Sequence, residues 1–279
     1  MKEKSSIFQH PYCLTDGGLE TTLIFLRDIL PNYFAAFELL QQEDRKKALE
    51  EYYLPYLRLA EKYNLAFILE TPTWRANADW GFKLGYTPDE LFAVNKQSVK
   101  FIRELAQPFS YTLPQIIFSG NIGPRGDGYK AENIMNAEQA KVYHFDQVNA
   151  FALADADIIT AATINYSDEA IGIINAARLF QLPVVISFTV ETDGKLPGGE
   201  SLQEAIEKTD KETNRYAEHF MINCAHPQHF LHVLQTDKEW KLRLRVFAPM
   251  LLRKAMLNLM NQKHLTLETS AFCLKDMLN

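Results

Sequence analysis

Cysteine is scarce in this chain: Cys13, Cys224 and Cys273 are the only three in 279 residues, and no two are adjacent. So small and scattered a set builds no disulfide framework and reads as reduced thiols. Excess positive charge is also lacking. Lys and Arg total 29 against 35 Asp and Glu, a net −6 at pH 7. With no basic field to attract phosphates, nucleic acid is excluded as the main partner. Apolar runs such as Leu182–Val190 are far shorter than the about 20 residues that span a bilayer. The start, Met1–Lys2–Glu3–Lys4, leads into no apolar signal core. No linker, low-complexity tract or short repeat marks a second domain. These absences predict a soluble, cytoplasmic protein with one domain over 1–279, small-molecule partners and room for self-association.

What the chain does have is alternation. Short apolar runs at Tyr12–Thr15, Ala66–Glu70, Ile116–Gly120, Ile158–Ala162, Pro183–Thr189, Phe220–Asn223 and Leu242–Phe247 read as strands. Amphipathic stretches at Arg45–Tyr63, Pro88–Ala106, Ala137–Leu153, Glu169–Phe180 and from Leu202 onward read as helices. Strand–helix repetition means a parallel sheet covered by helices. Seven such strands predict a (β/α)₈ TIM-type barrel, an α/β fold, lacking its eighth strand. In such a barrel the functional face lies at the C-terminal ends of the strands. Five of the runs end there in turn chemistry: Asp16-Gly17-Gly18, Thr71-Pro72, Asn121-Ile122-Gly123-Pro124, Asp193-Gly194 and His226-Pro227.

Two of these ends carry the chemistry. In Met221–Ile222–Asn223–Cys224–Ala225–His226–Pro227 an apolar strand delivers one thiol to its C-terminal end. Taken alone, such a cysteine reads as a small core residue, and His226 and His229 beside it read as solvated loop residues. In Asp16–Gly17–Gly18 the glycines let backbone approach a ligand and Asp16 can accept hydrogen bonds from an amine. Taken alone, this is a common turn.

Together the segments say more. Asp16–Gly17–Gly18–Leu19–Glu20, Glu70–Thr71–Pro72–Thr73–Trp74–Arg75–Ala76–Asn77, Gly120–Asn121–Ile122–Gly123–Pro124, Val190–Glu191–Thr192–Asp193–Gly194 and Asn223–Cys224 stand in the order of the homocysteine S-methyltransferase family. The chain resembles that family from about Cys13 to about Arg245. The resemblance implies a methyltransferase that moves a methyl group to the thiol of homocysteine or a related small thiol, in methionine biosynthesis. It implies zinc as cofactor, with Cys224 as the first of three thiolate ligands, and a methyl donor as second substrate. It implies substrate contacts from Asp16, Gly17, Gly18, Glu20, Asn121, Thr163 and Asn223, and no catalytic side chain beyond them. One departure falls inside the span. Many members carry Glu-Thr-Ile-Pro after the fourth strand, and the glutamate binds the substrate amine. Here Ala162–Thr163–Ile164–Asn165 takes its place.

The family's other two ligands form a Cys-Cys pair near the C-terminus, and this chain has no such pair. From about residue 247 to 279 it reads as an aberrant tail. Codons for residues 247 to 269, read one base out of frame, can encode Arg-Ala-Asn-Ala-Ser and the acidic stretch that the family carries there. A frameshift is therefore the expected origin of the tail. The expected consequence is zinc binding that is weak or absent and little methyl transfer. The competing readings are a non-catalytic, small-molecule-binding remnant of the family and a metal-free barrel enzyme working through carboxylates. The last ranks lowest, because the strand-end motifs show no suitably placed lysine or carboxylate pair.

Overall fold

The computed structural model describes residues 7–10, 12–235 and 239–248. Its strands are β1 (Cys13–Thr15), β2 (Ala66–Glu70), β3 (Ile116–Ile122), β4 (Ile158–Ile164), β5 (Val184–Phe188), β6 (His219–Asn223) and β7 (Leu244–Ala248). The helices are α1 (Leu19–Arg27), α2 (Glu43–Tyr63), α3 (Ala78–Lys83), α4 (Pro88–Ala106), α5 (Ala137–Leu153), α6 (Ser167–Leu179), α7 (Leu202–Glu212) and α8 (Pro227–Leu234). Each strand pairs in parallel with the next, in the order β1-β2-β3-β4-β5-β6-β7. The result is a curled, helix-covered sheet, an incomplete TIM-type barrel. Among the described residues no strand joins β7 to β1. The expectations for the tail, Cys273 included, lie outside the described residues.

Local chemistry explains the boundaries. Three helices begin at reciprocal capping boxes: Thr87 with Glu90, Asn136 with Gln139 and Ser201 with Glu204. Pro88 and Pro227 occupy first-turn positions, where a missing N–H costs nothing. The strands β3 and β4 run two residues past the sequence expectation, to Ile122 and Ile164. β7 starts two residues later than expected, at Leu244, after a short 3₁₀ turn over Glu239–Arg243. That turn is pinned by Arg243, which pairs with both Asp210 carboxylate oxygens and donates to the Ala217 and Glu218 carbonyls.

Period-two alternation divides each strand between two environments. Outward residues pack under the helices in two main clusters. The larger joins β3–β6 to α5, α6 and α7 through residues such as Phe151, Ile173, Phe188 and Phe220. The other joins β2 to α1, α2 and α4 through Leu23, Tyr53, Leu57 and Ile102. Gly120 is required here: a Cβ would stand 2.4 Å from the Phe151 ring. Gly172 likewise lets α6 reach α5, since a Cβ would stand 2.4 Å from that of Ala140. Inward residues are apolar at the lower, N-terminal end, where Ile117, Ile158, Val185 and Met221 cluster with Ile7, Phe8 and Ile68. Phe8 sits 5.2 Å from the His219 ring, and the Gln115 side chain holds its segment through Ile7 and Gln9. Toward the strand C-termini the inward residues turn polar, beginning with Ser119 and Thr160, whose hydroxyls are 2.8 Å apart.

Candidate active site at the barrel mouth

The polar rim divides into two walls. The thiol wall comes from β4, β5 and β6. Asn223, the last residue of β6, accepts hydrogen bonds at Oδ1 from the Thr163 N–H (2.9 Å) and the Ser187 hydroxyl (2.7 Å). Its Nδ2 lies 2.9 Å from Thr163 Oγ1 and 3.3 Å from Cys224 Sγ. Thr163 Oγ1 stands 3.7 Å from the same sulfur, and the Tyr129 hydroxyl also reaches it. Burial pushes the Cys224 thiol above its ordinary pKa, and the charge of Glu20 adds to this, while the hydrogen bonds from Thr163, Tyr129 and Asn223 work the other way.

Backbone geometry puts these groups in place. Thr163 has φ 62° and Cys224 φ 54°, in the left-handed region that β-branched and other non-glycine residues avoid. The strain at Thr163 accompanies a register shift in β4 between Ala161 and Ile164. Such a bulge re-aims side chains at the end of a strand.

The acid wall comes from β1, β2, β3 and α1. The Asp16 carboxylate accepts from the Tyr52 hydroxyl at 2.8 Å, but its other oxygen is buried without a partner among the described residues. Glu70 ends β2 and accepts from the Asn121 side-chain amide. Burial, first of all, raises the Asp16 carboxyl to about 6, Glu20 to about 7 and Glu70 to about 8. The neighbouring charge of Asp16 raises the last two further. Of the loop glycines, Gly18 is the residue before α1 with φ 69°, where a side chain would be strained and would strike Thr21. Gly17 is exposed, and its carbonyl lies 3.5 Å from the Tyr56 hydroxyl.

The structure thus brings Thr163, Asn223 and Cys224 into one hydrogen-bonded group and sets Asp16, Glu20 and Asn121 on the facing acid wall. The electrostatic coupling of Glu20 to both Cys224 and Asp16 links the walls. One expectation needs correction. The strand-end motifs do supply carboxylates close together, because Glu70 joins Asp16 and Glu20. The signal was present: in Ala66–Glu70, Ile68 faces inward, so period two carries Glu70 inward as well. His226 keeps its partly exposed place in the loop before α8, where its Nδ1 also accepts the Gln228 N–H at 3.2 Å and caps the helix. Tyr52 and Ser187 had no sequence signal, being polar atoms on residues that otherwise fit a core pattern.

As to metal, Cys224 offers one thiol, and its neighbours are hydroxyls and an amide that bind zinc poorly. Among the described residues no group of three His, Cys, Asp or Glu side chains is arranged to hold a metal ion. These residues alone do not make a zinc site.

A curled parallel sheet of this kind, with polar groups at its strand C-termini, defines an incomplete TIM-type barrel. Residues 13–269 match the sequence profile described as Homocysteine S-methyltransferase, and the chain belongs to that family. Homocysteine S-methyltransferase 1 of Arabidopsis thaliana is 24% identical over 235 residues, covering 77% of this chain and 69% of the plant protein. The crystal structure of the homocysteine methyltransferase MmuM from Escherichia coli, in its metallated form, aligns with a TM-score of 0.68 at 16% identity, over 86% of this chain and 91% of that one. Its apo form aligns at 0.61 over 86% and 90%. At this identity the structures speak for the fold. No helix among the described residues is long and apolar enough to cross a membrane.

Proposed function

We propose that the barrel mouth binds a small thiol and a methyl donor, as a methyltransferase of this family would, and that this chain holds zinc weakly and turns over little. One observation carries the reading: a half-buried thiol held by Asn223 and Thr163 faces three carboxyls whose pKa values burial has raised toward neutrality. Carboxyls in that state are short of positive charge, so the acid wall favours a cationic group such as an ammonium or a sulfonium. Asp16, with one oxygen free, suits an ammonium, and the backbone at Gly17 and Gly18 leaves room for a ligand to approach.

In the transfer itself a bond forms between the acceptor sulfur and the methyl carbon, and the donor's bond to that carbon breaks. The donor keeps the electron pair and the acceptor loses its thiol proton. Glu20, whose charge reaches the Cys224 sulfur and whose carboxyl is raised to about 7, is the carboxylate this reading offers for that proton. Zinc, where bound in the family, would hold the acceptor as thiolate, the nucleophilic form. Here the residues described supply one of three thiolates, and structural zinc sites draw on the order of 10–16 kcal/mol from a full ligand set.

The test is elemental analysis of dialysed protein with homocysteine methylation assayed on S-methylmethionine. Sub-stoichiometric zinc and near-background turnover are expected. Stoichiometric zinc with turnover abolished by Cys224→Ala would overturn the low-activity half. Absence of thiol binding by calorimetry would overturn the rest.

A further inference from the structure

Arg75 is 5% exposed, yet its charge is barely met. Its guanidinium carbon lies 4.1 Å from the Trp74 ring centre and 4.2 Å from that of Trp80, so both indoles hold the cation in place. Nη1 donates to the Gly126 carbonyl at 2.6 Å. Nε is buried with no partner among the described residues. Asp127 and Glu20 act on the charge through space, but neither hydrogen-bonds to it, and burial lowers Arg75 to about 10. A guanidinium has five donors in a rigid fork, and a buried charge without a partner is costly.

The group also belongs to the mouth. Trp74 donates its indole N–H to the Ala162 carbonyl at 3.1 Å, at the end of β4. A Cβ on Gly128 would lie 3.0 Å from the Thr163 methyl and 3.3 Å from Trp74, so these three residues adjoin. Thr163 in turn touches Cys224. The cation therefore stands one aromatic ring away from the thiol wall, held between two indole contacts, with donor capacity to spare.

We propose that Arg75 is a specificity residue of the mouth, receiving a carboxylate of the bound thiol. This rests on the thiol-binding reading above and assigns a residue of this chain, Arg75, to the carboxylate that a homocysteine-like thiol carries. The acid wall and Arg75 together then suit a molecule with an anionic group toward Trp74 and any cationic group toward Asp16. Stacking on two indoles and a forked donor set are properties of arginine that lysine does not share.

The test uses the full chain under reducing conditions and four probes by calorimetry: 4-mercaptobutanoate, L-homocysteine, the carboxylate-free 3-aminopropane-1-thiol, and the thiol-free L-norvaline. Wild type is expected to bind L-homocysteine about tenfold more tightly than 3-aminopropane-1-thiol, which differs from it by the carboxylate alone, the scale of one charge-assisted hydrogen bond, with 4-mercaptobutanoate reporting the carboxylate contact without the amine. Arg75→Gln should erase that preference and leave the affinity for 3-aminopropane-1-thiol unchanged, which also reports that the variant is folded. Arg75→Lys should recover only part of it. A carboxylate preference that survives Arg75→Gln, or no preference in wild type, overturns the proposal while thiol binding stands. Equal, Arg75-dependent binding of L-norvaline and L-homocysteine supports the carboxylate role and removes the thiol reading instead. If Arg75→Gln loses the amine thiol as well, a structural role replaces the specificity role.

Discussion

On the thiol wall, Asn223 spends both ends of its amide on Thr163, Ser187 and Cys224, so the protein itself satisfies these groups. On the acid wall, an Asp16 oxygen is unpaired, and burial of three carboxyls beside one another outweighs the hydrogen bonds from Tyr52, Thr15, Thr160 and Asn121 that favour their charged forms. The first wall is set whether or not a ligand is present. The second is destabilised until a cation or a proton arrives. A mouth built this way keeps its thiol geometry rigid and lets its charge state respond to what binds.

The largest effect should follow from dismantling the rigid wall. Asn223→Ala removes four contacts and leaves Thr163 N–H and Ser187 without partners, so unfolding free energy should fall by about 2–4 kcal/mol. Urea denaturation measures it, and a loss under about 1 kcal/mol would mean that the two walls are equally soft.

Next comes the charge state of the acid wall. A carboxyl whose folded pKa is raised binds more protons folded than unfolded. Its contribution is intact below the unfolded value near 4 and is lost as pH rises through the folded value. With Glu20 near 7 and Glu70 near 8, stability should decline between pH 5 and pH 8. Glu70→Gln keeps an acceptor for Asn121 and removes the charge. It should flatten that decline and add about 1–2 kcal/mol at pH 8. If denaturation midpoints at pH 5 and pH 8 shift equally in wild type and variant, the acid wall is already compensated.

The lower end of the barrel supplies the opposing limb. Burial, aided by the charges of Arg245 and Arg243, lowers His219 to about 4. A base with a depressed folded pKa costs stability as pH falls from about 6.5 toward 4. His219→Phe should remove this acid limb, read from midpoints at pH 4.5 and pH 6.5, with the upper limb unchanged.

The smallest effect is local. Tyr52→Phe deletes the hydroxyl that bonds Asp16 at 2.8 Å and should cost about 0.5–1.5 kcal/mol. It should also raise the Asp16 pKa further, visible by carboxyl NMR titration. A downward shift would show that Tyr52 does not stabilise the charged form.

The strand order was legible because short apolar runs alternated with amphipathic stretches, five of the seven ended in turn chemistry, and the motifs at Asp16, Asn121 and Cys224 sat at those ends. What stayed hidden depended on contacts between segments far apart in the chain. Nothing local marks Tyr52, in the middle of an amphipathic helix, as the partner of Asp16. Nor does the sequence show that Thr163 adopts φ 62°, since that conformation is imposed by the bulge in β4 and by the bond from its N–H to Asn223. The carboxylate cluster was half legible: Glu70 was visible by periodicity, its coupling to Asp16 only in space.

The close crossing of α5 and α6 at Ala140 and Gly172 has a consequence for how the chain reaches its final form. These helices flank β4 alone, so their contact closes a short loop and loses little chain entropy. The larger apolar cluster grows from that crossing, whereas β1 must wait for partners more than fifty residues away at Ala66–Ile68. Refolding should therefore nucleate around α5, β4 and α6 and add the first strand late. Gly172→Ala should then slow refolding, and Leu49→Ala on α2 should chiefly speed unfolding, in stopped-flow chevrons. The reverse pattern would place the nucleus at the N-terminal strands.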